Sequence, residues 1–295
     1  MFGLDFFHLS SCASTMPTSI AHLGPIGTNT ESAAIHYIAT LPDSDVTLYP
    51  YLSIAQTLQA VVDRQVDMAV VPVENSIEGG VTFTLDTLWQ LDNLQIQQAL
   101  ILPISHALLS VAPALDQIQT VYSHPQALSQ CQEWLGKFLP KAQQVAANST
   151  TEALQHLAED VTAAAISSQR AAQIYGLPML AQGLNDRPDN CTRFWVLSLQ
   201  PSLVGSHSSL AFSLLANQPG ALVKALQIFA TRGINLSRIE SRPTKRSLGD
   251  YLFFIDLETS FQSTEVQSAL VELQSYTETI KTFGSYDIAP ISSPI

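Results

Sequence analysis

Short apolar runs alternate with longer segments of helical periodicity over the first part of the chain. The runs predict buried strands, and the longer segments predict helices with one apolar face. We expect strands at Ser19–Leu23, Val46–Tyr49 and Met68–Pro72, and helices at Thr30–Ala39 and Ile54–Arg64. Strands that alternate with helices form βαβ units, which build a mostly parallel sheet covered on both faces.

A second block of the same kind begins near Ile101 and ends with a strand at Arg193–Ser198. Its other strands are predicted at Ile104–Val111, Thr120–Tyr122, Gln144–Ala146 and Ala163–Ile166, and its helices at Pro125–Phe138, Thr151–Glu159 and Ser168–Tyr175. Two such blocks predict two α/β lobes with parallel sheets and a cleft at the hinge between them.

The rhythm changes after a polar segment that reads as a linker. The order becomes strand, helix, strand, strand, helix, strand, which is the βαββαβ, ferredoxin-like arrangement of a separate small domain. We therefore expect five regions. They are a disordered N-terminal extension (1–17), a two-lobed domain (18–198), a linker (199–208), a ferredoxin-like domain (209–286) and a C-terminal tail (287–295).

Composition narrows the possible functions. The chain has 295 residues, of which 46% are hydrophobic and 13% charged, and its net charge is −12. That charge disfavours nucleic acid and anionic membranes as partners. Cys12, Cys131 and Cys191 are odd in number and far apart, which fits a reducing cytoplasm. Motifs for metals, dinucleotides or nucleoside triphosphates are absent from the sequence, so we expect no metal and no cofactor.

Three helix starts share a capping pattern, and each follows a predicted strand. They are Thr28–Glu31, Ser123–Gln126 and Ser149–Glu152. In an open parallel sheet such starts lie along the carboxyl edge, where ligands bind, and their free N–H groups hold anions. One capping box occurs at many helices that bind nothing, but three at one edge favour an anionic ligand in the cleft.

Two polar segments supply candidate chemistry. Glu74, Asn75 and Ser76 follow a buried strand, and Thr192 and Arg193 begin another. An arginine can hold a carboxylate through two parallel hydrogen bonds, and Thr192 places a hydroxyl beside it. Together with the flat face of the next residue, Phe194, this pattern suits a small acid that carries a ring. Other interpretations remain open, since Glu74 can instead orient Arg193 and Phe194 can belong to the core.

The segments GPIGTNTESAA, VVPVENSIEGGV, SHPQALSQC and DRPDNCTRF, in this order, resemble prephenate dehydratase. NQPGAL, GINL and ESRP in the second domain resemble the ACT regulatory domain that is fused to that enzyme. The resemblance covers about residues 18–286. It departs from the family at Asn29-Thr30, where an aromatic residue followed by a small one is more usual.

The resemblance implies a catalytic domain of periplasmic-binding-protein-like architecture and a cofactor-free enzyme of phenylalanine biosynthesis. Such an enzyme converts prephenate to phenylpyruvate, and L-phenylalanine inhibits it through the ACT domain. It implies a homodimer or homotetramer. We expect no chorismate mutase module, since only about 17 residues precede the first predicted strand. Two alternatives remain, an arogenate dehydratase and a two-lobed ligand-binding sensor without catalysis.

The resemblance also implies roles for individual residues. Thr192 assists the departing hydroxyl and Arg193 holds the pyruvyl carboxylate. Substrate contacts are assigned to Thr28, Glu74, Asn75, Ser76, Ser123, His124, Gln126 and Phe194. Effector contacts are assigned to Asn217, Gly220, Ala221, Leu222, Asn235, Glu240, Ser241 and Arg242.

Overall fold

The structure is a computed structural model that describes residues 18–42, 45–158 and 160–291. The extension predicted for residues 1–17 lies outside the described residues. Within the described part, the chain forms two α/β lobes followed by a smaller α/β unit.

The first lobe contains a mixed sheet with helices against it. Its strands are β1 (Thr18–Leu23), β2 (Val46–Tyr51), β3 (Met68–Asn75), the short β4 (Gly79–Gly80) and β5 (Gln95–Pro103), and its helices are α1 (Asn29–Ile38), α2 (Ile54–Val62) and α3 (Thr82–Gln90). β1 is parallel to both β2 and β3. The sequence analysis omits α3 and β5.

The second lobe has its own five-stranded sheet. Its strands are β6 (Ala107–Leu109), β7 (Thr120–Ser123), β8 (Gln143–Ala146), β9 (Ala163–Ser167) and β10 (Met179–Gln182), and its helices are α4 (Pro125–Ser129), α5 (Gln132–Phe138), α6 (Gln169–Tyr175) and the 3₁₀ segments Leu115–Gln117 and Glu152–Ala158. The strand order is β10-β6-β9-β7-β8. The single helix predicted at Pro125–Phe138 is in fact two helices, α4 and α5.

The chain then returns to the first lobe as β11 (Cys191–Ser198), which lies between β3 and β5 and is antiparallel to both. This insertion makes the sheet mixed, whereas the sequence predicts a mostly parallel one. It also joins the lobes by two segments, residues 103–107 and 182–191. The paired crossings make a hinge beside the ends of β3 and β11.

The smaller unit has the predicted βαββαβ order. It consists of β12 (His207–Leu214), α7 (Ala221–Ala230), β13 (Leu236–Pro243), β14 (Tyr251–Leu257), α8 (Thr264–Leu273) and β15 (Thr277–Pro290). Its strand order, β13-β14-β12-β15, is that of the ferredoxin-like fold. The periodicity of α7 and α8 places Phe229 and Leu273 in the core, fully buried.

The last strand joins the smaller unit to the first lobe. β15 pairs with β12 up to Tyr286, and residues Asp287–Pro290 then pair in parallel with Gln98–Ile101 of β5. The sequence analysis assigns these four residues to a tail, but here they complete a ten-stranded sheet. The shared core beside this strand contains Trp195, Phe283 and Tyr286, all at most 1% exposed. The two domains therefore share both a sheet and a core.

Deletion of residues 287–295 should loosen the smaller unit from the first lobe, because it removes the parallel pairing with β5 and the buried Ile291. We expect a lower melting temperature, with a loss of roughly 2 kcal/mol or more for the apolar surface that is exposed again. Calorimetry on the full chain and on the truncated chain measures this. A chain that lacks only residues 292–295 is the control, and equal melting of all three contradicts the role given to β15.

Candidate active site

The two lobes enclose a cavity of about 850 Å³. Helix starts of both lobes form its walls, together with the ends of β3 and β11 at the hinge. Among the described residues that line it there is no lysine or arginine. An anion bound in this cleft must therefore be held by amides, hydroxyls and histidines.

Buried hydrogen bonds form a continuous polar chain beside the cleft. Asn75 Nδ2 donates to Thr192 Oγ1 at 2.9 Å and to Asn190 Oδ1 at 2.9 Å. Asn190 Nδ2 donates to Gln130 Oε1 at 2.9 Å, and His106 Nε2 lies 3.3 Å from the same oxygen. The chain crosses from the first lobe to the second, so it fixes side chains of both lobes relative to each other.

Thr192 stands at the cleft end of this chain. It is 9% exposed, and it lies opposite Asn75 in the pairing of β11 with β3. Because the Asn75 amide donates to Thr192 Oγ1, the hydrogen of the hydroxyl remains available to donate elsewhere. No hydrogen bond among the described residues uses that hydrogen. The hydroxyl is thus held in place as a donor toward the cleft.

The start of α1 forms the first-lobe wall as predicted. Thr28 is the N-cap, and its Oγ1 accepts from Glu31 N at 3.3 Å, while Glu31 Oε2 accepts from Gly27 N at 2.6 Å. Thr28, Asn29 and Thr30 line the cavity. Backbone amides at the start of a helix favour negative charge, so this wall of the cavity can hold an anion.

The second-lobe wall differs from the prediction at Ser123. Its hydroxyl donates to Ile166 O at 2.7 Å across the sheet and is fully buried, because Ser123 is still the last residue of β7. The cap of α4 is His124, whose Nδ1 accepts from Gln126 N at 3.3 Å. His124 and Gln126 line the cavity, whereas Ser123 does not.

The third helix start contributes residues that the sequence analysis did not select. Ser149 Oγ accepts from Glu152 N at 2.9 Å, as its capping pattern predicts. Thr151, within this pattern, lines the cavity, and its Oγ1 is buried without a hydrogen-bond partner in the described part of the chain. The same is true of Gln130 Nε2. Unpaired buried polar atoms are costly, and both of these atoms are placed where a molecule in the cavity could pair with them.

Arg193 does not lie where the sequence analysis predicts it. Successive residues of a strand point to opposite faces, so the side chain beside Thr192 points away from the cleft. Its guanidinium reaches the smaller unit, where Nη1 donates to Asp256 Oδ2 at 3.2 Å. Arg193 is therefore not among the residues that line this cavity, whereas the resemblance implies that it holds the pyruvyl carboxylate there.

Three more predicted substrate contacts lie outside the cavity lining. Phe194 is 1% exposed and belongs to the first-lobe core, which is the alternative left open above. Glu74 Oε2 lies 3.6 Å from Arg193 Nη2, on the face away from the cleft. Ser76 Oγ donates to Asn190 Oδ1 at 3.2 Å and so supports the polar chain from behind.

The predicted effector residues do not meet in one place within a single chain. Asn217 lies at a small cavity of about 290 Å³ and its Nδ2 donates to Gly249 O at 3.0 Å. Gly220 caps α7 with a φ of 82°, and the first turn of that helix contains Ala221 and Leu222. Asn235 precedes β13 and lies at the opposite end of the unit.

The remaining effector residues lie on β13. Arg242 forms two hydrogen bonds with Asp86 of α3, at 2.9 and 3.1 Å. The Glu240 carboxylate packs directly against Gly80 of β4, so closely that any side chain at that position would collide with it. Ser241, between them, is opposite Phe253 in β14. Glu240 and Arg242 thus contact the first lobe.

Gln130, Asn190 and His106 belong to the polar chain, but the sequence analysis did not select them. Gln130 and Asn190 lie within SHPQALSQC and DRPDNCTRF, so the motifs contained a signal for both. Nothing in the local sequence marks His106. It joins the chain only because the hinge segment brings it 3.3 Å from Gln130 Oε1.

Two buried histidines lie close to the cleft. Burial lowers the pKa of His106 below its usual 6.5, although the contact with Gln130 opposes this effect. Burial also lowers the pKa of His22, while its contact with the Leu23 carbonyl opposes that shift. At neutral pH both rings are therefore uncharged and leave the field of the helix starts unchanged.

The described part of the chain lacks two further features, a metal-binding cluster and a membrane-spanning helix. No cluster of three or more histidine, cysteine, aspartate or glutamate side chains in residues 18–42, 45–158 and 160–291 is arranged to hold a metal ion. Within the same ranges, every helix is too short or too polar to span a bilayer.

Comparison with known proteins identifies relatives over nearly the whole chain. Residues 20–202 match the family model "Prephenate dehydratase", and residues 208–274 match "ACT domain". The bifunctional chorismate mutase/prephenate dehydratase of Aquifex aeolicus is 39% identical and covers 94% of this chain and 76% of its own length. Prephenate dehydratase in complex with L-Phe from Arthrobacter aurescens superposes with a TM-score of 0.83 at 36% identity, covering 92% of this chain and 90% of that one. GqqA, a quorum-quenching acylase, superposes with a TM-score of 0.80 at 28% identity, covering 92% and 98%.

His106 should make the fold sensitive to mild acid. Its folded-state pKa lies below 6.5, so as the pH falls below 6.5 the unfolded chain takes up a proton before the folded chain does. Stability present above that pH is therefore lost as the pH falls toward the lowered pKa. Chemical denaturation as a function of pH should show a shallower acid decline for His106→Gln than for the wild type. His207→Gln, remote from the cleft, is the control, and identical declines in all three proteins contradict the assignment.

Proposed function

The chain belongs to the prephenate dehydratase family and carries a C-terminal ACT domain, and from this premise we propose that its cleft converts prephenate to phenylpyruvate. A similar fold occurs in an acylase, so the fold alone does not fix the reaction. The observation that carries the proposal is the Thr192 hydroxyl, which Asn75 holds at the cleft with its hydrogen available.

The reaction sets modest demands on the protein. The bond between the ring and its carboxylate breaks to give carbon dioxide, and its electron pair enters the ring. The bond from the ring to the hydroxyl then breaks, and hydroxide leaves as water once it has received a proton. Because the product ring is aromatic, formation of that ring drives the reaction. The protein must orient the substrate and assist the departing oxygen.

Thr192 is the residue that assists the departing oxygen. An ordinary alcohol is a poor acid, so its role is to donate a hydrogen bond that strengthens as negative charge grows on that oxygen. Asn75 keeps the hydroxyl in one orientation, and Asn190 and Gln130 in turn hold Asn75. A donor fixed in this way needs no reorganisation during the reaction.

The substrate carboxylates require anion sites other than Arg193. The start of α1 at Thr28 and the segment around Thr151 offer amides and hydroxyls, and His124 and Gln126 offer a third helix start. We assign the pyruvyl carboxylate to these groups. Tight binding of the carboxylate that departs would stabilise the ground state and slow its loss.

For the ACT domain we propose binding of L-phenylalanine, the ligand named in the Arthrobacter complex. Asn217, Gly220 and the first turn of α7 form one part of the site, and residues 240–242 of β13 form another. Since these parts are separate within one chain, a second copy would complete the site. Val223 and Val271, 66% and 68% exposed on α7 and α8, fit such a homodimer or homotetramer.

We also propose a cytoplasmic location. Cys131 and Cys191 are free thiols, which suits the reducing conditions of the cytoplasm.

Replacement of Thr192 tests the catalytic assignment. Thr192→Val keeps the shape but removes the hydroxyl, and we expect kcat to fall roughly 100-fold or more with little change in KM. Thr192→Ser keeps the hydroxyl and should retain most of the activity. Phenylpyruvate formation from prephenate, measured for both variants, decides the point. Wild-type turnover by Thr192→Val would remove this residue from the mechanism.

Gly220 tests the effector site. Its φ of 82° is unfavourable for a side chain, so Gly220→Val should displace the start of α7 and abolish inhibition by phenylalanine. Gly176→Val is a matched control, because Gly176 has a φ of 62° at the end of α6, outside the ACT domain. Inhibition is compared with the uninhibited rate of each variant. Retained inhibition in Gly220→Val, or equal loss in both variants, argues against this site.

A further inference from the structure

A group of charged residues around the buried Asp256 and Arg238 joins the two domains directly behind Thr192. We call it the interdomain ion cluster, and it consists of Arg193 and Glu74 from the first lobe and Arg238, Glu240 and Asp256 from the ACT domain. Two guanidinium groups thus face three carboxylates. Since nothing in the proposed reaction uses these five side chains, the cluster requires another role.

Asp256 is the centre of the cluster. It is 1% exposed, and its Oδ2 accepts from Arg238 Nε at 2.7 Å and from Arg193 Nη1 at 3.2 Å. Its Oδ1 accepts from Ser209 Oγ at 2.6 Å. Arg193 is the only one of these three donors that comes from the first lobe. A buried carboxylate holds such a partner strongly, because the loss of one partner leaves charge uncompensated.

The cluster and the active site occupy opposite faces of the same piece of sheet. In the pairing of β11 with β3, Thr192 lies opposite Asn75 and Arg193 lies opposite Glu74. The Thr192–Asn75 hydrogen bond faces the cleft, and the Arg193–Glu74 ion pair faces the ACT domain. Neighbouring residues share a backbone, so a displacement of the Arg193 side chain moves the strand that fixes the Thr192 hydroxyl.

The cluster also reaches the proposed effector site. Arg238 Nη1 donates to Glu240 Oε2 at 3.2 Å, and Glu240 and Arg242 lie on the strand to which the resemblance assigns effector binding. Burial raises the pKa of Glu240, so its charge depends on this arrangement. A ligand that engages Glu240 must therefore change the environment of Arg238, and through Asp256 that of Arg193.

We propose that Arg193 is a positioning residue, and that the interdomain ion cluster carries the inhibitory effect of phenylalanine from β13 to Thr192. The proposal rests on the proposed function and adds the path of regulation. Phenylalanine inhibits because it binds one arrangement of the cluster better than another, and the two arrangements place the start of β11 differently.

A double-mutant cycle on the full chain tests this path. The variants are Arg193→Met, Asp256→Asn and the combination of both, each assayed for kcat, KM for prephenate and the phenylalanine concentration that halves the rate. We expect each single variant to raise that concentration roughly tenfold or more, with KM changed less than about twofold. In the double variant that concentration should be no higher than in either single variant, because all three variants remove the same Arg193–Asp256 ion pair. Calorimetric titration should still detect phenylalanine binding.

Three results would overturn the proposal. One is a large rise in KM for Arg193→Met alone, which would make Arg193 a substrate ligand. Another is the addition of the two single effects in the double variant, which would make them independent. The third is inhibition that stays at the wild-type level in both single variants.

Two further variants separate the path from general damage. Arg193→Lys keeps the charge beside Asp256 and should restore part of the inhibition. Arg232→Met removes an ion pair with Glu272 that lies wholly within the ACT domain, at 2.6 Å, and should leave inhibition unchanged. If Asp256→Asn does not fold, Arg193→Met against Arg193→Lys decides the proposal alone. Wild-type turnover of prephenate in the same assay reports on the proposed function separately from the cycle.

Discussion

The antiparallel pairing of β11 with β3 is the constraint on which the rest of the site depends. It inserts a strand from the end of the two-lobed domain into the middle of the first sheet, so that both lobes share one hinge. The same pairing places Asn75 opposite Thr192 and joins them by a hydrogen bond of 2.9 Å. A slip by one residue would turn the threonine away from the cleft and turn Arg193 into it. Register here decides which side chain faces the cleft.

The proposed regulation depends on the same strand for a related reason. β15 extends the sheet of the ACT domain into that of the first lobe, and Trp195 packs in the core that the two domains share. A rigid connection of this kind can transmit a displacement from one domain to the other. The ion pairs of Asp256 add to it, because they involve Arg193 of the first lobe and Arg238 of the ACT domain. The proposed catalytic and regulatory contacts are therefore separated only by the thickness of one sheet.

Much of the fold follows from local sequence patterns. The βαββαβ order predicted for the smaller unit is observed, because strands such as Tyr251–Leu257 are continuous apolar runs flanked by turn residues. Local pattern does not predict β5, in which three glutamines interrupt the apolar positions, or α3, whose N-cap residue, Val81, provides no side-chain cap. The strand predicted at Ile104–Val111 begins just after β5, which ends at Pro103, and only Ala107–Leu109 of it is observed as a strand, β6. In these places tertiary packing, not local pattern, determines the structure.

The site was predictable in part. Thr28, Asn75, His124, Gln126 and Thr192 line the cleft, because motifs at strand ends meet at one sheet edge. The orientation of neighbouring strand residues was not predictable, since sequence alone does not say which of two adjacent side chains faces the cleft.

The most direct measurement is product formation by the purified full chain from prephenate and, separately, from arogenate, each with and without phenylalanine. We expect phenylpyruvate from prephenate, suppressed by phenylalanine. Turnover of arogenate alone, or of neither substrate by folded protein, would contradict the assigned reaction.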